Sequence, residues 1–198
     1  SITGICSNGC VWDGEKVENY YNDGTLKENG ASCGILLNYG DFDYFTAGDA
    51  GGNTRVEYPC AITIGHPIEA MKSHHHLSPR TMEDDMLEIL QPDVIVTQSF
   101  YIRDIQPDQG IIRRISASTI PGAKRMYFTN IDRSLTDADP QLYARSAGIG
   151  GHIVIRVSPG GKEYCVYMLD DSDTTYTVKQ ADGPFRCKPQ PKNTEKHE

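Results

Sequence analysis

Residues 34–49, which read GILLNYGDFDYFTAGD, carry the clearest structural pattern in the chain. Two apolar runs flank Gly40-Asp41, a typical turn pair, so this stretch predicts two strands joined by a tight turn. The second strand ends at Gly48-Asp49, where a glycine lets the backbone turn sharply beside a carboxylate. A Gly-Asp pair after a strand is most often an ordinary turn, so its meaning depends on what lies beside it.

Strands and helices alternate after this stretch. The pattern predicts strands at 62–64, 68–72, 93–97 and 126–128, a helix that begins at Ser78-Pro79, and a helix over 107–116. This order is typical of an α/β protein, in which helices pack on a sheet.

The two ends of the chain have weaker patterns. Residues 1–32 are rich in Gly, Asn and Asp, and they predict a loop with one short strand. Residues 131–148 are polar and turn-rich, whereas residues 150–180 predict two or three strands with a hairpin turn at Gly160-Gly161. The Pro- and Lys-rich tail from Lys188 predicts disorder.

Composition sets limits on the function. The chain has 198 residues, enough for one substantial domain. Its net charge of −8 argues against a broad basic surface for nucleic acid, although a nuclease with bound cations stays compatible. No run approaches the roughly 18 apolar residues that span a bilayer, so we expect no membrane span. Six cysteines without a CxxC pair leave both free thiols and disulfides open.

Three consecutive histidines, His74-His75-His76, follow the strand predicted at 68–72. A carboxylate and an imidazole at adjacent strand ends are the oxygen and nitrogen ligands that a Zn²⁺ or Mn²⁺ site uses. A short histidine run is otherwise a surface feature. The metal interpretation therefore depends on Asp49 and the histidines being brought together.

Three segments, taken in order, resemble ComEC-like proteins of the metallo-β-lactamase fold. Residues 29–32 (NGAS), followed by a strand and residues 46–49 (TAGD), are similar to that family's Asn-x-x-Ser … Thr-Gly-Asp segment. Residues 69–78 (EAMKSHHHLS) are similar to its Asp-Val-Leu-Lys-x-x-His-His-Gly-Ser segment, and residues 90–96 (LQPDVIV) to its Leu-x-Pro-x strand. The resemblance covers roughly residues 29–130.

The resemblance implies a fold and its division into parts. The expected fold class is α/β, as the C-terminal half of a metallo-β-lactamase αββα sandwich with an added C-terminal β segment. Residues 1–130 would form that half, residues 131–187 a β-rich extension or the final strands, and residues 188–198 a disordered tail.

The resemblance also implies roles for individual residues. Asp49 would bridge two metal ions, and His75 would bind one of them, so that both residues are metal ligands and catalytic. An alternative register of the histidine segment makes His74 the ligand instead. In the register that makes His75 the ligand, His76 would either support the metal ligands or face the substrate, and Ser78 would cap the following helix.

Three departures from the family pattern bear on these roles. The family's main metal motif, HxHxDH, is absent from the chain, so we expect an N-terminal half of the same protein to supply it. Leu77 stands where the family has the glycine after its His-His pair. Many relatives carry a His-Pro after the next strand, where this chain has Asp104, which is either a substitute substrate-binding group or an ordinary loop residue.

The implied function is metal-assisted hydrolysis of a phosphodiester or other ester, with two zinc ions, or manganese, activating a water. We expect these 198 residues to be inactive alone, because one Asp and one or two His are too few for a zinc site. A non-catalytic binding module of the same fold and a plain α/β scaffold are the alternatives. Half a fold would also expose an apolar sheet face, which predicts a bound N-terminal half or a homo-oligomer.

Overall fold

The structure is a computed structural model that describes residues 1–21, 23–51, 55–99 and 106–189. The strands of its main sheet are β1 (Ile2–Ser7), β2 (Cys10–Trp12), β3 (Val17–Asn19), β4 (Gly34–Tyr39), β5 (Phe42–Thr46), β6 (Ala70–Lys72), β7 (Val94–Thr97), β8 (Arg125–Phe128) and β9 (Gly148–Ile149). The other elements are β10 (His152–Val157), β11 (Glu163–Leu169), β12 (Val178–Arg186), α1 (Glu57–Ile64), α2 (Asp84–Leu90), α3 (Gln109–Ala117), α4 (Arg133–Ala138) and α5 (Pro140–Tyr143).

The main sheet is mixed, and its direction changes at β5. In the described part of the chain, its order is β3-β2-β1-β4-β5-β6-β7-β8-β9. The β4–β5 pair is antiparallel, with Tyr39 opposite Phe42, which confirms the predicted hairpin. From β5 to β9 every pair is parallel. The carboxyl ends of β5, β6 and β7 therefore lie along one edge, where open α/β sheets place their functional groups.

The two faces of this sheet are covered by different layers. On one face α1, α2 and α3 bury residues such as Ala61, Leu87 and Ile112 against Phe45 and Ile95 of the sheet. The opposite face packs on a second sheet of order β10-β11-β12, through a cluster of large side chains from both sheets: Phe42, Tyr127, Tyr164, Val166 and Met168. The α/β prediction is confirmed at this level, since helices, mixed sheet and second sheet form successive layers.

The strand predicted at 62–64 is wrong, because these residues end helix α1. Ile62, Thr63 and Ile64 have high β propensity, but Ile64 packs in the core between the sheet and the helices. Two helix signals were present: Pro59 in the first turn, and Gly65 after the last turn with φ of 69°. Tertiary burial and these end signals outweigh the propensity of three residues.

The helix predicted to begin at Ser78-Pro79 begins five residues later, at Asp84. Arg80 and Met82 have φ values of 64° and 55°, which are incompatible with a right-handed helix. Ser78 therefore does not cap this helix; its carbonyl accepts a hydrogen bond from Thr81 Oγ1 at 2.8 Å. The helix predicted over 107–116 is confirmed as α3, and Asp108 caps it by accepting from the Ile111 N–H.

The chain ends hold more strand than the sequence predicts. Residues 1–32 contribute β1, β2 and β3 to the main sheet, and the short α4 and α5 lie within the polar region 131–148. The predicted hairpin at Gly160-Gly161 is confirmed between β10 and β11. All six cysteines lie in described segments and are free thiols. Every helix among the described residues is too short or too polar to cross a membrane.

The final described residues pack onto the main sheet. The Lys188 N–H donates to Glu69 Oε1 at 2.8 Å, and its ammonium donates to the Ile68 carbonyl at 2.9 Å. Residues 190–198 of the predicted disordered tail lie outside the described residues, and the domain boundaries stay predictions. An apolar groove of about 690 Å³ lies between the main sheet and the β10-β11-β12 sheet. It is lined by Leu37, Phe42, Tyr44, Val96, Ile153 and Ile155.

Candidate metal centre

Asp49 lies at the carboxyl end of β5, where Gly48 turns the chain. Gly48 has a φ of 56°, and a Cβ at this position would lie 3.1 Å from Ser32 Oγ. The same Ser32 hydroxyl accepts a hydrogen bond from the Asp49 N–H at 3.1 Å. The glycine is required for both the left-handed backbone and the close approach of Ser32. The turn leaves the Asp49 side chain 37% exposed at the sheet edge.

The three histidines form a tight turn, His74–Leu77, directly after β6. His75, His76 and Leu77 have φ values of 44°, 56° and 56°, so three consecutive residues adopt the left-handed conformation. Each such residue costs about 1–2 kcal/mol relative to a right-handed one. The turn is held in place because the His75 N–H donates to the Gly48 carbonyl at 3.2 Å and the Asp108 N–H donates to the Leu77 carbonyl at 2.8 Å.

His76 is the histidine that faces Asp49. Its Nε2 lies 3.6 Å from Asp49 Oδ1. On the other side of the ring, Nδ1 lies 2.6 Å from the carbonyl oxygen of Gln98, just after β7. A carbonyl only accepts hydrogen bonds, so Nδ1 carries the proton and donates it. Nε2 is therefore the ring nitrogen that faces the Asp49 carboxylate and can offer a lone pair to a metal ion.

This arrangement fits two ligands of one divalent ion. Zinc bonds to nitrogen and oxygen at about 2.0–2.1 Å, which in a tetrahedral site places two donor atoms about 3.3 Å apart. The observed Nε2–Oδ1 separation of 3.6 Å is close to that value. Metal-binding histidines commonly donate their second ring N–H to a backbone carbonyl, as His76 does to Gln98. Within the described residues, no group of three or more His, Cys, Asp or Glu side chains converges.

Lys72 lies beside the pair and was missed by the sequence analysis as a site residue. Its ammonium is 3.9 Å from Asp49 Oδ1 and donates to the carbonyls of Gly48 and Ser73 at 3.0 and 3.1 Å. Burial lowers the pKa of Lys72, and the Asp49 carboxylate acts in the opposite direction. The lysine therefore neutralises part of the Asp49 charge.

His75 points away from the Asp49–His76 pair. Its Nε2 lies 3.5 Å from Asn29 Nδ2, and it lines a cleft on that side of the turn. The structure thus brings the first two segments noted in the sequence together, since Asn29 contacts His75 and Ser32 contacts Asp49. Gln98, which contacts His76, lies two residues beyond the third segment.

His74 is fully buried on the core side of the turn. Its Nδ1 lies 2.7 Å from Glu57 Oε1 of α1, and its ring meets the Phe45 ring edge-on at 5.5 Å between centroids. Glu57 Oε1 also accepts from the Met82 N–H at 2.7 Å. His74 Nε2 and Glu57 Oε2 are buried without a hydrogen-bond partner in the described structure. This pair connects α1, the histidine turn and the segment before α2.

Two of the predicted site residues, Asp49 and His76, are therefore adjacent, and His75 lies on the far side of the turn. Asp104 lies outside the described residues. A sequence signal for Gln98 and Glu57 was lacking, because the first acts through its backbone and the second lies in α1, a helix that the sequence did not predict. No protein-family model matches this chain, and no curated protein matches it.

Proposed function

We propose that this chain supplies part of the metal centre of a hydrolase of the metallo-β-lactamase fold, ComEC-like branch, which acts on a phosphodiester or another ester. Asp49 and His76 would hold a divalent ion, zinc or manganese. When bound, such an ion polarises the ester oxygen and activates water near neutral pH. The Gln98 carbonyl would keep the His76 ring oriented, and Ser32 would fix the turn that presents Asp49.

The observation that carries this proposal is the Asp49–His76 pair. The two side chains come from the ends of neighbouring parallel strands, and their donor atoms lie 3.6 Å apart with the His76 tautomer set by Gln98. The resemblance gave the ligand role to His75 and a substrate-facing role to His76. The geometry supports exchanging the two roles, because His75 faces Asn29 and the cleft beyond it.

The backbone at Leu77 also supports the resemblance. The family has glycine at this position, and Leu77 adopts a φ of 56°, which glycine reaches without strain. Its side chain is fully buried in the core and does not narrow the metal centre. Burial of the Leu77 side chain in the core thus stabilises a backbone conformation that would otherwise favour glycine.

The described residues supply two ligands, which do not complete a zinc site, because such a site normally takes three or four protein ligands. The proposal therefore requires further ligands from another segment, which would be an N-terminal half of the same protein carrying HxHxDH or a second copy of this chain. The apolar groove lined by Leu37, Tyr44 and Ile153 offers a surface that such a segment would cover. Sedimentation analysis of this chain, with and without the added half, distinguishes the two sources.

The test is metal content and esterase activity in the longest natural form of the protein that contains these residues. We expect about two zinc or manganese ions per chain, as in two-metal hydrolases, with hydrolysis of bis(4-nitrophenyl) phosphate. Asp49→Ala and His76→Ala should each lose metal and activity. His152→Ala, which removes an exposed imidazole on β10, is the matched control. A well-folded protein without bound metal would overturn the proposal.

One observation favours a second candidate, a non-catalytic binding module of the same fold. The Lys72 ammonium, 3.9 Å from Asp49 Oδ1, offsets part of the carboxylate charge, as a metal ion would. If this is its role, Lys72→Met should destabilise the protein and leave it free of metal. If Asp49 serves a metal, Lys72→Met should instead raise zinc affinity by removing a competing cation.

A further inference from the structure

A cleft of about 620 Å³ lies on the far side of the histidine turn from Asp49. The residues that give it chemical character are Tyr21, Lys27, Asn29, Arg55, His75 and Arg80. His75 forms the wall between this cleft and the Asp49–His76 pair. A volume of this size accommodates a small molecule.

The charge of the cleft is opposite to that of the whole chain. Lys27, Arg55 and Arg80 contribute three positive charges, and the carboxylate beside them, that of Asp23, pairs with Arg55 at 2.9 Å, so that the cations outnumber it. The complete chain carries a net charge of −8. A group of cations that lines a cleft creates a positive potential there, even in an acidic protein. This potential attracts an anion to the cleft.

Arg55 is held in a fixed position at the rim. Its guanidinium lies 2.9 Å from Asp23 Oδ2 and 5.5 Å from the centre of the Tyr21 ring. Asp23 is itself held by the Thr25 hydroxyl at 2.6 Å, and this hydrogen bond, followed by the one from Arg55, lowers the pKa of Asp23 to about 2. Since a guanidinium has five N–H donors, the contacts with Asp23 and Tyr21 orient Arg55 and still leave donors for a ligand.

From this geometry we infer that the cleft binds the phosphate group of a small molecule. Arginine side chains match phosphate oxygens with paired hydrogen bonds, and Lys27 adds a point charge. Asn29 supplies a neutral donor next to His75. The enclosed shape and the acidic remainder of the chain favour a small phosphate ester over a nucleic-acid polymer, which needs an extended basic surface. The inference deepens the proposed function and rests on it in one respect. The bound phosphate compound is a substrate only if the chain is part of a hydrolase.

The test is calorimetric titration of this chain with inorganic pyrophosphate, in a buffer that contains EDTA. The cleft variant is Lys27→Gln, Arg55→Gln and Arg80→Gln combined. The control variant, Lys16→Gln, Arg133→Gln and Lys179→Gln, removes three exposed cations that do not line the cleft. We expect the cleft variant to bind pyrophosphate at least tenfold more weakly than the wild type, and the control to stay within about twofold, as phosphate contacts are local. Equal binding by both variants, or no binding by the wild type at millimolar concentration, would overturn the inference.

Lys27→Gln alone guards against a folding defect in the combined variant, because Lys27 is exposed and its replacement should still weaken binding. A ten-nucleotide single-stranded DNA is the second ligand. Tighter binding of the DNA than of pyrophosphate, lost in the cleft variant, would refute a small-molecule site.

The two proposals fail in different ways. Asp49→Ala should abolish metal binding and leave pyrophosphate binding in EDTA unchanged. If pyrophosphate binds only when zinc is present, the metal centre remains supported and the cleft inference is wrong. If pyrophosphate binds in EDTA and no metal binds, the cleft inference is supported and the proposed metal centre is wrong.

Discussion

Neighbouring residues of one turn form two acid–imidazole pairs with opposite surroundings. His74 and Glu57 are almost fully buried and lie 2.7 Å apart, whereas His76 and Asp49 are about one-third exposed and lie 3.6 Å apart. The buried pair connects three segments of the core. The exposed pair keeps its donor atoms at a separation that a metal ion fits. The comparison teaches that burial distinguishes the histidine that connects segments of the core from the histidine that we propose as a metal ligand.

The largest expected effect comes from breaking the buried pair. Glu57→Ala leaves the His74 Nδ1–H and the Met82 N–H without their acceptor in the core. We expect the free energy of unfolding to fall by about 2–5 kcal/mol, measured by urea denaturation. Asp49→Ala is the matched acidic control and should change it by less than about 1 kcal/mol. A comparable loss in both variants would contradict the division of roles.

Metal binding should stabilise the protein through the exposed pair alone. Zinc at about 100 times its dissociation constant should raise the free energy of unfolding by about 2.7 kcal/mol. The increase should disappear in His76→Ala and persist in His75→Ala, because only His76 faces Asp49. Thermal unfolding with and without a chelator measures this. Loss of the increase in His75→Ala would restore the ligand assignment made from the resemblance.

A smaller effect distinguishes the contribution of the turn's backbone conformation to stability from the contribution of the His76 side chain to metal binding. His76 has a φ of 56°, so His76→Gly should be more stable than His76→Ala by about 1 kcal/mol, because glycine reaches this conformation freely. Both variants should lose metal binding to the same extent. Equal stability of the two, measured by urea denaturation, would mean that the turn does not hold the left-handed conformation in solution.

The smallest effect concerns Asp23 at the cleft rim. Its pKa is lowered from 3.8 to about 2, first by the Thr25 hydroxyl and then by Arg55. The ionised carboxylate therefore stabilises the fold at pH above the ordinary value, and this contribution is lost as the pH falls through the lowered value. Thr25→Val should move the Asp23 pKa back toward 3.8, as followed by NMR titration. An unchanged pKa would show that Arg55 and the Thr25 N–H hold the Asp23 pKa low without the Thr25 hydroxyl.

The strand ends that carry the candidate site could be predicted from the sequence. Which side chains face one another at those ends could not. The β4–β5 hairpin and Gly48-Asp49 follow from local patterns of apolar and turn residues. Which histidine faces Asp49 could not be predicted, because three successive left-handed residues reverse the orientation that ordinary strand or helix geometry would give. The helix at 57–64 was missed for a related reason, since its burial against α2 depends on contacts distant in sequence.

The central claim is that Asp49 and His76 hold a divalent ion, and histidine NMR tests it most directly. Zinc is titrated into the longest natural form of the protein that contains these residues, while the ring ¹⁵N signals of the histidines are followed in the wild type and in Asp49→Ala. The account predicts that the Nε2 signal of His76 shifts first and that Nδ1 keeps its proton, which it donates to the Gln98 carbonyl. Asp49→Ala should remove the response. A zinc response centred on His75, or one that persists in Asp49→Ala, would contradict it.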